Sequence, residues 1–218
     1  MCGEHLAYTP SVLGKLITIE GPEGAGKTVQ AERLRDELRR RGQKVRLTRE
    51  PGGTALGERL RSILLEGGSA GAPIEPRADA LLFNAARAQL VAEVIRPALG
   101  RGEVVICARF ADSTLAYQGF GAGLPVLELR AIASVATGGL DPDRTILLDL
   151  APEVGLARKT ADARNRFESS LDLDFHRRVR DGFRELADHE PGRWRVVDAD
   201  RPVDEVFAEV LEASLEIL

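Results

Sequence analysis

Short apolar runs rich in β-branched residues recur along the chain, each followed by a longer stretch with helical spacing. "KLITIE" (15–20), "KVRLT" (44–48), "VVIC" (104–107) and "RTILLDL" (144–150) have the length and composition of buried strands. Between them, Lys27 to Arg41 spaces Leu34 and Leu38 four apart, which predicts a helix ending at Gly42, a residue suited to a left-handed cap. A second helix is predicted from Pro76, whose missing N–H costs nothing in a first turn, through "RADALLFNAARAQLVAEVI". Strand-helix alternation of this kind builds a mostly parallel sheet with helices on both faces, so the chain is an α/β protein.

"EGGSAGAPIEP" (66–76) reads as a loop, and no linker is rich enough to divide the chain. The expected organisation is a leader over residues 1–14, expected to lack order, and one domain over 15–218. The leader has no basic start followed by a long apolar run, and no segment approaches the length needed to span a bilayer.

At 218 residues, 44% hydrophobic and 29% charged, the composition suits a globular chain with one sizeable core. The net charge of −4 supplies no global basic field, so a small-molecule partner is expected rather than nucleic acid or membrane. The two cysteines, Cys2 and Cys107, form no CxxC or Cys/His pattern, and a reducing, cytoplasmic setting is expected.

"GPEGAGKT", Gly21 to Thr28, satisfies the P-loop pattern G-x-x-x-x-G-K-[ST] between a predicted strand and a predicted helix. Gly21, Gly24 and Gly26 allow the backbone to curl so that its N–H groups face an anion, with Pro22, Glu23 and Ala25 between them; the helix N-terminus adds its dipole. Lys27 is expected to bridge the β- and γ-phosphates, and Thr28 to offer its hydroxyl to Mg²⁺. No N-K-x-D guanine signature follows, which disfavours a GTPase.

Four other stretches exceed what a scaffold needs. "TREPGGT" (48–54) closes the second strand with a charged pair and a tight turn, and "LLFNAAR" (81–87) puts Phe83 and Arg87 on one helical face, an aromatic platform beside a guanidinium. "ARFADSTLAYQGFG" (108–121) follows a buried strand, where open α/β sheets bind ligands. "ARKTADARNRFESS" (157–170) is an arginine-bearing interval suited to a lid over phosphates.

Together with "IEGPEGAGKT", "ILLDL", "PEVGLAR" and "NRFE", these motifs make the chain resemble the bacterial thymidylate kinases, P-loop nucleoside monophosphate kinases, from Leu16 to the C-terminal helix. The resemblance implies a five-stranded parallel P-loop fold, a homodimer, and transfer of the γ-phosphoryl group of MgATP to dTMP. It further implies that Phe83 stacks on thymine while Arg87 and Gln118 meet the base edge, with Thr114 alongside. Arg61, Arg109 and Arg49 hold the dTMP phosphate, Glu23 meets the 3′-hydroxyl, and Tyr117 crowds the 2′ position. A lid arginine, Arg158, Arg164 or Arg166, supplies transition-state charge. "VVDADRP" (196–202) is the expected adenine wall by position.

One position departs from the family pattern. Where the family carries Asp-Arg at the end of the third strand, this chain carries Ala108-Arg109. Three readings stand at this point: a kinase using another acid such as Glu50 or Asp149, a low-activity form, or a nucleotide-binding relative without catalysis.

Overall fold

The structure, a computed structural model, describes residues 14–66, 74–158, 167 and 172–218. Five strands form one sheet: β1 (Lys15–Glu20), β2 (Val45–Arg49), β3 (Val104–Ala108), β4 (Arg144–Asp149) and β5 (Trp194–Asp198). Their order is β2-β3-β1-β4-β5 and every pairing is parallel, as the strand-helix alternation requires. The fifth strand, which carries no continuous apolar run, lies at the edge beside β4.

Both faces of the sheet are covered. Ile17, Ile19, Val104, Ile106, Ile146 and Leu148 pack with Leu34 and Leu38 of helix α1 (Lys27–Arg40) and with α9 (Val203–Leu215). On the opposite face Leu16, Val105 and Cys107 meet Leu90, Ile95 and Leu99. Side chains alternate across a strand, so two buried faces require the nearly continuous apolar runs seen in the sequence.

Helix α2 (Ala55–Glu66) follows the "TREPGGT" turn, and α3 (Pro76–Leu90) begins at Pro76 as expected, with the Glu75 side chain capping Arg77 and Ala78 N–H groups. The predicted helix over 76–95 runs on through a π turn (Val91–Ile95) into α4 (Arg96–Gly100). A second π segment, Leu115–Gly121, extends the short α5 (Ala111–Thr114). Such widened turns are common at functional sites, and this one carries Tyr117 and Gln118. The remaining helices are α6 (Val126–Thr137), α7 (Pro152–Ala157) and α8 (Leu173–His189).

The chain leaves β1 toward β2 on one side and leaves its neighbour β3 toward β4 on the other, opening a crevice between the C-terminal ends of β1 and β3. The expected leader, apart from Gly14, and most of the expected lid lie outside the described residues, Arg164 and Arg166 among them.

Candidate active site

A cleft of about 390 Å³ opens at the C-terminal ends of β1, β2 and β3. The P-loop forms its floor. Gly21, Gly24 and Gly26 all have positive φ, and α1 starts at Lys27, so the helix N-terminus faces the cleft. The Lys27 ammonium donates to the carbonyls of Gly21 (2.9 Å) and Pro22 (2.6 Å), folding the side chain back over the loop. Gly24 cannot carry a side chain, because its Cβ would lie 2.1 Å from the carbonyl oxygen of Gly155 in α7. The loop and the helix leading to the lid interval therefore meet backbone to backbone.

Arg109 is the centre of the acceptor side. Its guanidinium donates to Glu23 Oε1 (2.7 Å), the Tyr117 hydroxyl (3.1 Å), Ser113 Oγ (3.2 Å) and the Gly21 carbonyl (3.2 Å), and its cation lies over the Tyr117 ring. Tyr117 in turn donates to Glu23 Oε1 (2.9 Å). Burial opposes the charge on Arg109, but Tyr117, Glu23 and Glu20 raise its pKa and keep it protonated.

Arg49 and Arg61 line the same cleft. Arg49 is paired with Glu58 (3.0 Å), and Arg61 donates to the Pro51 carbonyl (2.8 Å). Burial lowers the Arg61 pKa and the neighbouring cations Arg49 and Arg109 lower it further. Three guanidinium groups from β2, α2 and the end of β3 thus crowd one wall, an arrangement that favours an anionic ligand. Phe83, Thr114 and Gln118 line the same cleft. The lining thus offers cations that suit a phosphate and an aromatic that suits a flat ring.

The family described as thymidylate kinase matches residues 19–210. A thymidylate kinase of Deinococcus radiodurans is 53% identical over 203 residues, covering 93% of this chain and 97% of that protein. One of Thermomicrobium roseum is 52% identical over 201 residues, covering 91% and 93%.

The chain belongs to the thymidylate kinase family.

The crystal structure of thymidylate kinase from Ehrlichia chaffeensis superposes with a TM-score of 0.73 at 32% identity, over 91% of this chain and 97% of that one. The five-stranded P-loop architecture is therefore that of the thymidylate kinases.

Arg87 differs from its expected placement. It is almost completely buried and does not line the cleft. Its guanidinium grips both carboxylate oxygens of Glu50 (2.7–3.1 Å) and also reaches Asn84 Oδ1, the Phe110 carbonyl and Thr114 Oγ1. The helical spacing correctly puts Phe83 and Arg87 near each other, but it cannot reveal that Glu50, 37 residues earlier, folds back onto the guanidinium. Arg158, the described member of the three lid arginines, lines the cleft and donates to Asp200 Oδ1 (3.1 Å) and to the Ala199 carbonyl (3.3 Å). It thereby joins the lid interval to the stretch expected to wall the adenine.

Ala108 lines the cleft, paired in register with Ile19 of β1 and Arg49 of β2. Neither acid considered as its substitute is unengaged: Glu50 is bound by Arg87, and Asp149 is held by both Nε and Nη2 of Arg180 (2.7 and 2.8 Å), away from the cleft lining.

Sequence reasoning missed three residues here. Phe167, the aromatic of "NRFE", is buried and lines the cleft between Phe83 and Tyr117, with ring centroids 6.0 and 5.9 Å away. Ser113 lines the cleft beside Arg109. Glu20 lies beneath it, fully buried, and its only outward signal was a carboxylate ending an apolar strand. Burial and the nearby Asp112 push its carboxyl up to about 7, against the pull of Ser113, Arg109 and the Phe110 N–H.

Among the described residues, no group of three or more His, Cys, Asp or Glu side chains is arranged to hold a metal ion. The Thr28 hydroxyl stands at the cleft, and the lining carboxylates Glu23 and Glu50 are engaged by arginines. This donor set fits Mg²⁺, which commonly takes most of its ligands from substrate phosphates and water.

Proposed function

We propose that this cleft transfers the γ-phosphoryl group of ATP to dTMP, giving dTDP, and that the residues lining it divide the task as their chemistry suggests. The observation that carries the reading is the convergence of Arg49, Arg61 and Arg109 in one cleft with Phe83 and the P-loop. It offers an anion clamp and an aromatic platform within reach of a triphosphate cradle.

In this reading Phe83 stacks on thymine, and Gln118 and Thr114 meet the base edge. Arg87 belongs to the same end, where it fixes Thr114 and Glu50. Glu23 accepts a hydrogen bond from the sugar 3′-hydroxyl, and Tyr117 fills the space a 2′-hydroxyl would need. Arg109, Arg61 and Arg49 neutralise the dTMP phosphate, allowing two like-charged groups to approach.

On the donor side the P-loop from Gly21 to Gly26, with Pro22, Glu23 and Ala25, cradles the ATP phosphates through its N–H groups. Lys27 leaves the Gly21 and Pro22 carbonyls to meet the β- and γ-phosphates. Thr28 holds Mg²⁺, which when bound offsets phosphate charge. Arg158, Arg164 or Arg166 brings a further positive charge to the transferring group. The dTMP phosphate oxygen attacks the γ-phosphorus as its bond to the β-γ bridging oxygen of ATP breaks, so ADP leaves and no enzyme intermediate forms.

The chain would act as a homodimer. Leu56 and Ile63 lie seven apart on α2 and are exposed, as are Leu81 on α3 and Leu127 and Val135 on α6, giving adjoining helices an apolar surface suited to a second copy. No helix among the described residues is long and apolar enough to cross a membrane. We place the protein in the cytoplasm, where dTMP and ATP occur together.

ADP release measured with MgATP and each of dTMP, dUMP, UMP, CMP and GMP tests the reading. The expected order puts dTMP first, and turnover independent of any acceptor would sink it. In the same assay Ala108→Asp is expected to raise kcat at saturating substrates at least tenfold, because its side chain would enter the cleft beside Arg109. Equal rates for the two proteins would show that position 108 does not limit transfer.

A further inference from the structure

A strained turn presents Arg109 to the cleft. Among the described residues Arg109 is the one non-glycine with positive φ, at 70°. A side chain in the left-handed region is disfavoured, so surrounding contacts must hold it there. Two of these contacts come from consecutive residues at the end of β1. The Ile19 carbonyl accepts from the Arg109 N–H (3.0 Å), and the Glu20 carboxylate accepts from the Phe110 N–H (2.6 Å).

The other oxygen of Glu20 accepts from the Ser113 hydroxyl (2.6 Å), whose oxygen in turn receives the Arg109 guanidinium (3.2 Å). One buried carboxylate therefore braces Arg109 twice, through the backbone immediately after it and through its side chain. Phe110 begins α5 without any side-chain cap of its own, so Glu20 also ties down the start of that helix. Ala108 pairs with Ile19, so Glu20, the next residue of β1, points to the opposite face of the sheet from Ala108, toward the turn at Arg109 and Phe110.

We propose that Glu20 is the positioning residue for Arg109, holding its turn and guanidinium in the acceptor-binding geometry through Phe110 N–H and Ser113 Oγ. The inference rests on the reading of Arg109 as a clamp for the dTMP phosphate.

The test compares steady-state kinetics of the wild type with Glu20→Ala, Glu20→Gln, Ser113→Ala and Arg109→Ala, varying dTMP and ATP separately. Glu20→Ala is expected to raise the KM for dTMP at least tenfold while the KM for ATP stays within twofold. Glu20→Gln, whose amide oxygen can still accept from Phe110 N–H, is expected to stay within threefold of the wild type. Ser113→Ala, at the cleft wall, cuts only the side-chain link and should raise the KM for dTMP about threefold or more; this variant decides the question if Glu20→Ala does not fold. An unchanged KM for dTMP in the folded variants, equal shifts for both substrates, or a Gln variant as impaired as the Ala variant would overturn the proposal. If Arg109→Ala itself leaves dTMP kinetics unchanged, it is the reading of Arg109 that fails. If Arg109→Ala weakens dTMP and the Glu20 and Ser113 variants do not, the positioning role alone fails.

Discussion

Arg109→Ala is expected to lower kcat for dTMP phosphorylation by about 10³, within the range for an arginine that stabilises phosphoryl-transfer charge. The KM for dTMP should rise at least tenfold. The size of the effect follows from the number of jobs the side chain does. Its guanidinium is mostly buried, so its attraction to a phosphate is weakly screened. It also joins Glu23 of the P-loop to Tyr117 and Ser113 of the acceptor segment, coupling the donor cradle to the acceptor wall. Truncation removes the charge and leaves Glu23 with the Tyr117 hydroxyl but without its arginine. Arg109→Lys keeps a cation but cannot reach several acceptors at once in the same plane, so it should recover only part of the loss. Single-turnover measurements separate chemistry from binding, and a kcat loss below tenfold would remove Arg109 from the transfer step.

Glu50→Ala is expected to destabilise the protein by roughly 3–5 kcal/mol, the cost of leaving a buried charge without its partner. At this chain length each kcal/mol lowers Tm by about 2–4 °C, so the midpoint should drop by roughly 6–20 °C. Arg87 and Glu50 have side chains only 1% and 3% exposed, and they meet through three short hydrogen bonds. Burial pushes the Glu50 carboxyl above its ordinary range, and the Arg87 guanidinium beside it pulls it back down. With Glu50 gone, the guanidinium retains Asn84, Phe110 and Thr114 as neutral acceptors, but these cannot offset its desolvation. Combining Glu50→Leu with Arg87→Met removes both charges and should recover most of the stability in urea or thermal unfolding, though not the acceptor site. A Glu50→Ala loss below about 1 kcal/mol, the scale of an exposed pair, would mean that solvent reaches these charges.

Much of this site is legible in the residues alone. The P-loop is contiguous, and its glycines, Lys27 and Thr28 are defined by local backbone geometry, so eight consecutive residues carry the signal. Phe83, Tyr117 and Gln118 lie in compact motifs and all line the cleft. The burial of Arg87 is not legible, because helical spacing gives the face on which a side chain stands but not what approaches that face. Nor is Glu20: a single carboxylate at a strand end has no local pattern, and its two hydrogen-bond partners lie some ninety residues away.

Strand-helix alternation, the parallel sheet, the triphosphate cradle and the family can all be read from the order of the residues, because each depends on periodicity or on neighbours in the chain. Folding in three dimensions was needed to set the strand order, the crowding of Arg49, Arg61 and Arg109 on one wall, the Glu50–Arg87 pair and the Glu20 brace beneath a left-handed Arg109. Those features depend on distances between residues far apart in the chain. Such distances are fixed only when the sheet assembles and burial forces every charged group inside it to find a partner.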